Sequence, residues 1–524
     1  MTPSDPAITG GGGEAGLIES AHMEAAALVT GIADSTIVGD PTLDVVRLAC
    51  HTGDVGPGTL FFCIPGTKTD GHQFAAAAVE KGAVALVCER RLSLAVTQVV
   101  VPDARRAMAE IASRFFGEPS KQLTIVAVTG TNGKTTTAHL LAEILAAAGL
   151  RPALLGTVIN RIGGVEIPVV LTTAESLDLQ SMFRRMVDAG DLSCAMEVSS
   201  HALALQRTAA TDFDAVIFTN LTRDHLDFHR DLDDYYLAKR RLFLPDDARQ
   251  GHAIAAVNVG DDHGRRLVAE CRPVYGDDLW TFAVADEDSA PVADASAREL
   301  VLGAEGSSFT LAVPRLAVVQ RVDLRLAGRF NVENALAAAT ATLALGLPLD
   351  AVLSGLERTT GVTGRFEAVR AGQPFTVLVD YSHTPDSLEN ALTAARGIAA
   401  GRVIVVFGCG GDRDAGKRPL MGAIGAGLAD RAYITSDNPR TEDPLRIIDE
   451  ILGGVPRERA ARVVVEADRR RAIGQALAEA KTGDVVLIAG KGHEQGQILG
   501  DRRIPFDDRA IAEEFLHGWR GAVK

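Results

Sequence analysis

The sequence predicts an α/β protein of three domains, and three observations carry that reading. The chain runs to 524 residues, well past the length at which one hydrophobic core stops growing and chains divide. Residues 123–149 read LTIVAVTGTNGKTTTAHLLAEILAAAG, a β-branched run, a glycine loop and a helically spaced stretch in succession. From residue 375 onward short apolar runs alternate strictly with helical patterns, which implies a parallel sheet covered on both faces. These patterns divide the chain into a flexible tail and approach over 1–42, a small α/β domain over 43–121, a central P-loop-type domain over 122–361 and a C-terminal Rossmann-like domain over 362–524.

Composition narrows the function. The net charge of −15 argues against nonspecific nucleic-acid binding, so a phosphate-bearing ligand needs a local positive pocket rather than a basic surface. The cysteines at 50, 63, 88, 194, 271 and 409 lack C-x-x-C spacing, so neither a zinc site nor a disulfide framework is indicated, and a reducing, cytoplasmic setting fits. Residues 1–16 are rich in Pro and Gly without the basic start and apolar core of a signal peptide, and they read as a disordered tail. The most apolar stretch, 335–347, is shorter than a membrane span and ends at Pro348, so no membrane insertion is expected.

In the first domain, β-like runs at 60–64, 84–88 and 98–101 surround an alanine-rich helix over 74–81. In the central domain, Gly130 and Gly133 let backbone N–H groups approach a polyphosphate, with Thr131, Asn132 and Thr136 completing the loop. Lys134 can reach the β/γ oxygens of ATP and Thr135 can offer its hydroxyl to Mg²⁺. The usual loop has glycine where this chain has Val128, and an ordinary strand-to-helix turn is the competing reading. Glu197 ends the apolar run 193–198, where a nucleotide-bound Mg²⁺ finds its carboxylate. Asp224, His225, Asp227 and His229 crowd the loop after the run 215–218, and Lys239 lies in a helical stretch that reads by itself only as basic and amphipathic. Thr172, Thr173, Asn331 and Asn334 stand near helix starts, where capping alone would explain them.

The C-terminal domain predicts strands over 376–380, 403–407, 432–435, 463–465 and 485–489, with helices over 387–396, 420–429, 445–452 and 470–480. Ligand-binding residues should sit past the carboxyl ends of such strands. There the chain places DYSHTPDSLENAL from 380, GCGGDRDAGKRP from 408, SDNPRTEDP from 436 and AGKGHE from 489. GCGGDRD does not satisfy G-x-G-x-x-G, so a dinucleotide fingerprint is rejected. Arg413 and Arg440 suit a carboxylate, which an arginine fork grips bidentately.

The loop TGTNGKTT resembles the ATP loop of the Mur ligase family, the amide-forming enzymes of peptidoglycan synthesis, and of the related folylpolyglutamate synthases. PGTLFFCIPGTKTDGHQF resembles the family's uridine-nucleotide-binding domain; His51, Thr52 and Gly53 stand where DSR is usual, which leaves Thr52 and the loop 67–69 as UDP candidates. The resemblance places Thr172, Thr173, Ser199 of EVSSHAL and Arg207 on a muramoyl-dipeptide, although Ala174 replaces the family's proline. It makes His225 a ligand of a second Mg²⁺, Lys239 a carbamylated lysine beside it, and Asn331 and Asn334 neighbours of the adenine. Asp437, Asn438, Pro439 and Arg440 match the motif of the members that add meso-diaminopimelate; with Arg413, Gly490 and Glu494 they form its expected binding set. The implied activity is an ATP-dependent, ADP-forming ligation of meso-diaminopimelate to UDP-MurNAc-L-Ala-D-Glu through an acyl phosphate, by a monomer using two Mg²⁺. The alternatives are the same ligation with L-lysine, a folylpolyglutamate synthase-like ligase, or a non-catalytic binder of nucleotide and muropeptide.

Overall fold

A computed structural model describes residues 22–66, 69–245, 253–285 and 292–522. The expected disordered tail over 1–16, and Thr67 and Lys68 of the candidate UDP loop, lie outside the described residues.

Three sheets organise the chain. The first has five strands in the order Thr36–Val38, Thr97–Val100, Ala83–Cys88, Thr59–Phe62 and Arg47–Ala49, parallel except at Thr36–Val38. It therefore reaches back before residue 43: helix Ala25–Val29 also packs into its core, so the segment expected to be flexible over 1–42 is folded from about residue 23. Ala25, Leu28 and Val29 are buried, and an apolar helical stripe of this kind docks rather than remaining free. The helix expected over 74–81 is a 3₁₀ turn, Gly71–Phe74, followed by helix Ala75–Glu80.

The central sheet has eleven strands. Strand Thr124–Thr129 lies between Ser193–Glu197 and Ala215–Phe218, parallel to both, so the chain leaves it for both sides of the sheet. Its five residues Ile125 to Thr129 are all buried. Helices Lys134–Ala147, Arg329–Ala344 and Leu349–Arg358 cover one face, and Ser176–Ala189 and Asp262–Tyr275 contribute to the core on the other. Antiparallel strands Gly306–Val313 and Val318–Leu324 extend one edge beyond the parallel part.

The C-terminal sheet runs Glu367–Ala368, Thr376–Asp380, Val485–Ala489, Val403–Phe407, Arg431–Ile434 and Val463–Val465, antiparallel only at its first pair. Val403–Phe407 and Val485–Ala489 are buried at every position. At about 1.5–3 kcal/mol for each fully buried large apolar side chain, these strands outweigh the surface ion pairs around them, worth about 0–1 kcal/mol each. A hairpin, Gly496–Leu499 with Arg502–Pro505, and helix Asp508–Ala522 close the unit.

Candidate functional site

The glycine loop lies at the carboxyl end of strand Thr124–Thr129 and opens helix Lys134–Ala147. Gly130 and Gly133 have φ of 153° and 87°, and neither has room for a side chain. A Cβ at Gly130 would lie 1.8 Å from Thr219 Oγ1, and one at Gly133 would lie 2.2 Å from Asn334 Oδ1. Asn334 therefore braces the loop, and Asn331 sits behind it, donating to the Ala327 carbonyl at 2.8 Å and accepting from Asn334. Asn132 N donates to Asn220 Oδ1 at 2.9 Å, and Thr131 Oγ1 accepts from Thr222 N at 3.0 Å, which pins the loop to the segment after Ala215–Phe218. Thr136 is buried in the first helical turn.

Two lysines meet on this loop. Lys134 Nζ donates to the Gly130 and Thr131 carbonyls at 2.9 Å each, and Lys239 Nζ donates to Gly130 at 2.7 Å. Burial lowers both ammonium pKa values; the Lys134 cation also depresses Lys239, which falls well below the ordinary lysine value, and Arg365 also depresses Lys134. Asp224 opposes the shift in both. The Lys239 ammonium also sits 4.5 Å from the Tyr235 ring.

Glu197 is buried at the end of its strand. Its carboxylate accepts from Thr135 Oγ1 at 3.1 Å, Thr157 N at 2.7 Å and Thr157 Oγ1 at 2.9 Å. Among the described residues no group of three or more His, Cys, Asp or Glu side chains is set to hold a metal by itself. The Thr135–Glu197 pair nonetheless fits Mg²⁺, which takes one or two protein oxygens and fills its remaining positions with phosphate and water. His225, with φ of 55°, is held neutral by burial, its pKa lowered to about 3 despite Asp224 beside it. An imidazole is a softer donor than Mg²⁺ prefers, so His225 fits that role less closely than Glu197 does.

The peptide side is built around Thr173. Its hydroxyl donates to the Glu197 carbonyl at 3.0 Å and accepts from Ser199 N at 3.1 Å, while its carbonyl accepts from Arg207 at 3.0 Å. Thr172 Oγ1 is 3.1 Å from Thr157 Oγ1. Ser199 caps helix Ser200–Ala204, accepting from Ala202 N at 3.2 Å. Arg207 pairs with Glu175 at 2.9 Å, and Glu175 reaches Arg105 of the first unit at 3.5 Å. Thr52 is half-buried in a loop of the first unit, and its carbonyl accepts from Lys81 at 2.7 Å.

A cleft of about 220 Å³ separates the 224–227 segment from the carboxyl ends of the C-terminal strands. It gathers Arg413, Asp437, Asn438, Arg440, Gly490 and Glu494 from motifs up to about 80 residues apart in the chain. Pro439 is not among its lining residues; its carbonyl packs within 1.9 Å of where a Cβ on Gly411 would stand. Arg440 adopts φ of 52° and donates to the Gly411 carbonyl at 2.7 Å; burial and the neighbouring Arg413 lower its pKa. Arg413 faces Asp227 at 3.9 Å across the two units. Burial, reinforced by Asp437, raises the Glu494 carboxyl pKa.

Further residues join the site, and of these only Arg365 lay outside the strand-end motifs. Arg365 donates to Thr135 Oγ1 at 2.9 Å and stacks 4.6 Å from the Tyr381 ring, tying the C-terminal unit to the phosphate loop. Asp386 accepts from Asn132 at 2.6 Å across the same junction. Tyr381, His383 and Lys417 line the cleft beside the expected set. Tyr381 and His383 belong to a strand-end motif, which marked their neighbourhood; the pairing of Arg365 with Thr135, 230 positions apart, had no such marker.

A glycine loop of this form, facing a strand-end cleft of arginines and carboxylates across a domain junction, defines a nucleotide-using, three-domain ligase. The chain belongs to the Mur ligase family. It matches the Mur ligase family catalytic domain over residues 48–116, the Mur ligase middle domain over 128–342 and the Mur ligase glutamate ligase domain over 364–492. It is 42% identical to the UDP-N-acetylmuramoyl-L-alanyl-D-glutamate--2,6-diaminopimelate ligase of Alkaliphilus metalliredigens, over 91% of this chain and 94% of that one. The protein of the same name from Geobacillus thermodenitrificans is 45% identical over 93% and 96%. A solved structure of a ligase with that name superposes with a TM-score of 0.69 at 31% identity, covering 95% of this chain and all of the other. The Mycobacterium tuberculosis folylpolyglutamate synthase, at 17% identity and a TM-score of 0.58 over 74% of this chain, shares the fold. Among the described residues no helix is long and apolar enough to cross a membrane.

Proposed function

We propose that this chain ligates meso-2,6-diaminopimelate to the D-glutamyl γ-carboxylate of UDP-MurNAc-L-Ala-D-Glu, with ATP converted to ADP and phosphate, in peptidoglycan precursor synthesis. It acts as a monomer in the cytoplasm. The observation that carries this reading is the cleft that places Arg413, Asp437, Asn438, Arg440, Gly490 and Glu494 opposite the His225 loop.

The γ-carboxylate attacks the terminal phosphorus of ATP, forming a C–O–P linkage and releasing ADP. The amine of diaminopimelate then attacks the acyl carbon, the amide forms and inorganic phosphate leaves. Lys134 and the loop N–H groups hold the β/γ oxygens, and Arg365 stands beside Thr135 to meet charge on the same face. Thr172, Thr173, Ser199 and Arg207 align the peptide at the end of the Glu197 strand. Thr135 and Glu197 would hold one Mg²⁺, and His225, the less favourable donor, would hold a second with a carbamylated Lys239; such ions would supply charge neutralisation at the phosphates. Carbamylation needs a neutral amine, whose nitrogen bonds to CO₂ and loses a proton, and the lowered pKa of buried Lys239 supports it. Arg440 and Arg413 meet the distal carboxylate of diaminopimelate, a group that L-lysine lacks.

The test is phosphate release from ATP and Mg²⁺ with UDP-MurNAc-L-Ala-D-Glu, comparing meso-diaminopimelate with L-lysine. Turnover with diaminopimelate alone is expected. Turnover with lysine would overturn the specificity, and turnover with neither would overturn the ligase assignment for these substrates.

A further inference from the structure

Lys491 is fully buried between the two strand ends that carry the expected amino-acid-binding residues. Its Nζ donates to Asn438 Oδ1 at 2.8 Å and to the Gly496 carbonyl at 2.9 Å, and lies 3.4 Å from Glu494 and 3.5 Å from Asp437. Asn438 Oδ1 also accepts from Ile498 N at 3.0 Å. Both partners of that oxygen are pure donors, so the carboxamide has one satisfiable orientation. The Asn438 nitrogen must point the other way, where it donates to Glu494 at 2.8 Å; its second N–H has no acceptor among the described residues, and Asn438 lines the cleft.

The hairpin completes the arrangement. Arg440 N donates to the Ile498 carbonyl at 3.1 Å, and Gly500 N donates to the Arg440 carbonyl at 2.7 Å, gripping the one left-handed residue of the motif from both sides. Gln497 donates to the Asp437 carbonyl at 2.6 Å. The Lys491–Gly496 bond ties this hairpin to the end of strand Val485–Ala489.

Building on the ligase reading above, we propose that Lys491 is a positioning residue that sets ligand polarity: by holding the Asn438 carboxamide oxygen it makes Asn438 present N–H to the cleft, favouring an incoming amino acid that carries a carboxylate at its distal end. Lys491 does not itself line the cleft. Its substitution should act on one substrate and not on the other two.

The experiment measures KM and kcat of the full chain for each substrate in wild type, Lys491→Met and Lys491→Arg. Lys491→Met should raise the KM for meso-diaminopimelate at least about tenfold, as expected for losing a charge-assisted hydrogen bond. The KM for ATP and for the UDP-dipeptide should stay within about twofold on the same scale, and the preference for diaminopimelate over L-lysine in kcat/KM should fall. Lys491→Arg, which keeps the cation, should recover part of that preference. If Lys491→Met does not fold, Lys491→Arg carries the test, since its displaced donors should still raise the diaminopimelate KM selectively. An unmoved diaminopimelate KM, or three KM values rising together, overturns the proposal. Wild type that ligates neither amino acid removes the underlying reading and the proposal together, whereas wild-type ligation with unmoved variants removes the proposal alone.

Discussion

Lys239 and Lys491 are both buried, and each donates to a backbone carbonyl, Gly130 at 2.7 Å and Gly496 at 2.9 Å. They differ in the company of charge. Lys491 has two carboxylates within 3.5 Å, whereas among the described residues Lys239 has no carboxylate within ion-pairing distance and has Lys134 for a neighbour. A buried ammonium with counter-charges remains a strut, while one without them is pushed toward the neutral amine, which is the reactive form. One side-chain type thus stands among counter-charges in the C-terminal unit and without them in the central one, where the chemistry proposed above would use it.

The comparison is broken most forcefully at a third buried cation. Arg469 and Asp508 are fully buried, joined by hydrogen bonds of 2.6 and 2.8 Å, and Arg469 also donates to the Ala489 carbonyl beside Gly490. Burial works against the charge on Arg469, but Asp508 more than compensates and its pKa is raised. Asp508→Asn strands a guanidinium that stays charged at any working pH, and should cost about 3–5 kcal/mol. Guanidinium unfolding monitored in the C-terminal unit reads this directly; a midpoint equal to wild type would show that the cation does not depend on its acid.

Lys239→Met sharpens the contrast, because it should damage activity and help stability at once. Loss of the proposed carbamate site should lower kcat by about 100-fold or more, the usual scale for removing one preorganised electrostatic group. For stability the sign is opposite. Between its lowered folded pKa and 10.5 the lysine is neutral when folded and protonated when unfolded, so the unfolded chain binds the extra proton and wild-type stability rises with pH in that window. Removing the lysine should therefore raise stability at pH 7, a gain that fades as pH approaches 10.5. The comparison is made with bicarbonate excluded; a variant less stable than wild type at pH 7 would mean the buried amine is not neutral.

What could be read beforehand followed from burial. Strands Thr376–Asp380, Val403–Phe407 and Val485–Ala489 fall where the apolar runs place them, since a strand covered on both faces is a continuous β-branched run with punctuation at its ends; the edge strand Val463–Val465 does so too, although it is not fully buried. The antiparallel edge Val318–Leu324 was not legible: Val319 and Gln320 face water and Arg321 and Asp323 interrupt any run, so the strand is held by pairing with Gly306–Val313 rather than by its own pattern. At the site, residue types announced themselves through motifs, but their contacts did not. Lys491 stood inside AGKGHE, yet its role depends on Asn438, more than fifty positions earlier. Arg365 lay outside every motif, and its place in the site depends on Thr135. Local pattern marks strand ends; topology decides which of them meet.

The smallest effect belongs to a cation with a partner but no burial. Arg230 pairs with Asp234 at 3.2 Å, with its side chain 83% exposed, two residues before helix Leu232–Arg240, which carries Lys239. Water already solvates both charges, so the pair adds little, and what it adds is screened by salt. Arg230→Ala should leave the unfolding midpoint unchanged within error and leave kcat intact, although it is nine residues from Lys239. A shift approaching that of Asp508→Asn would mean that partnership rather than burial sets the value of a cation here, and the distinction drawn between Lys239 and Lys491 would lose its physical basis.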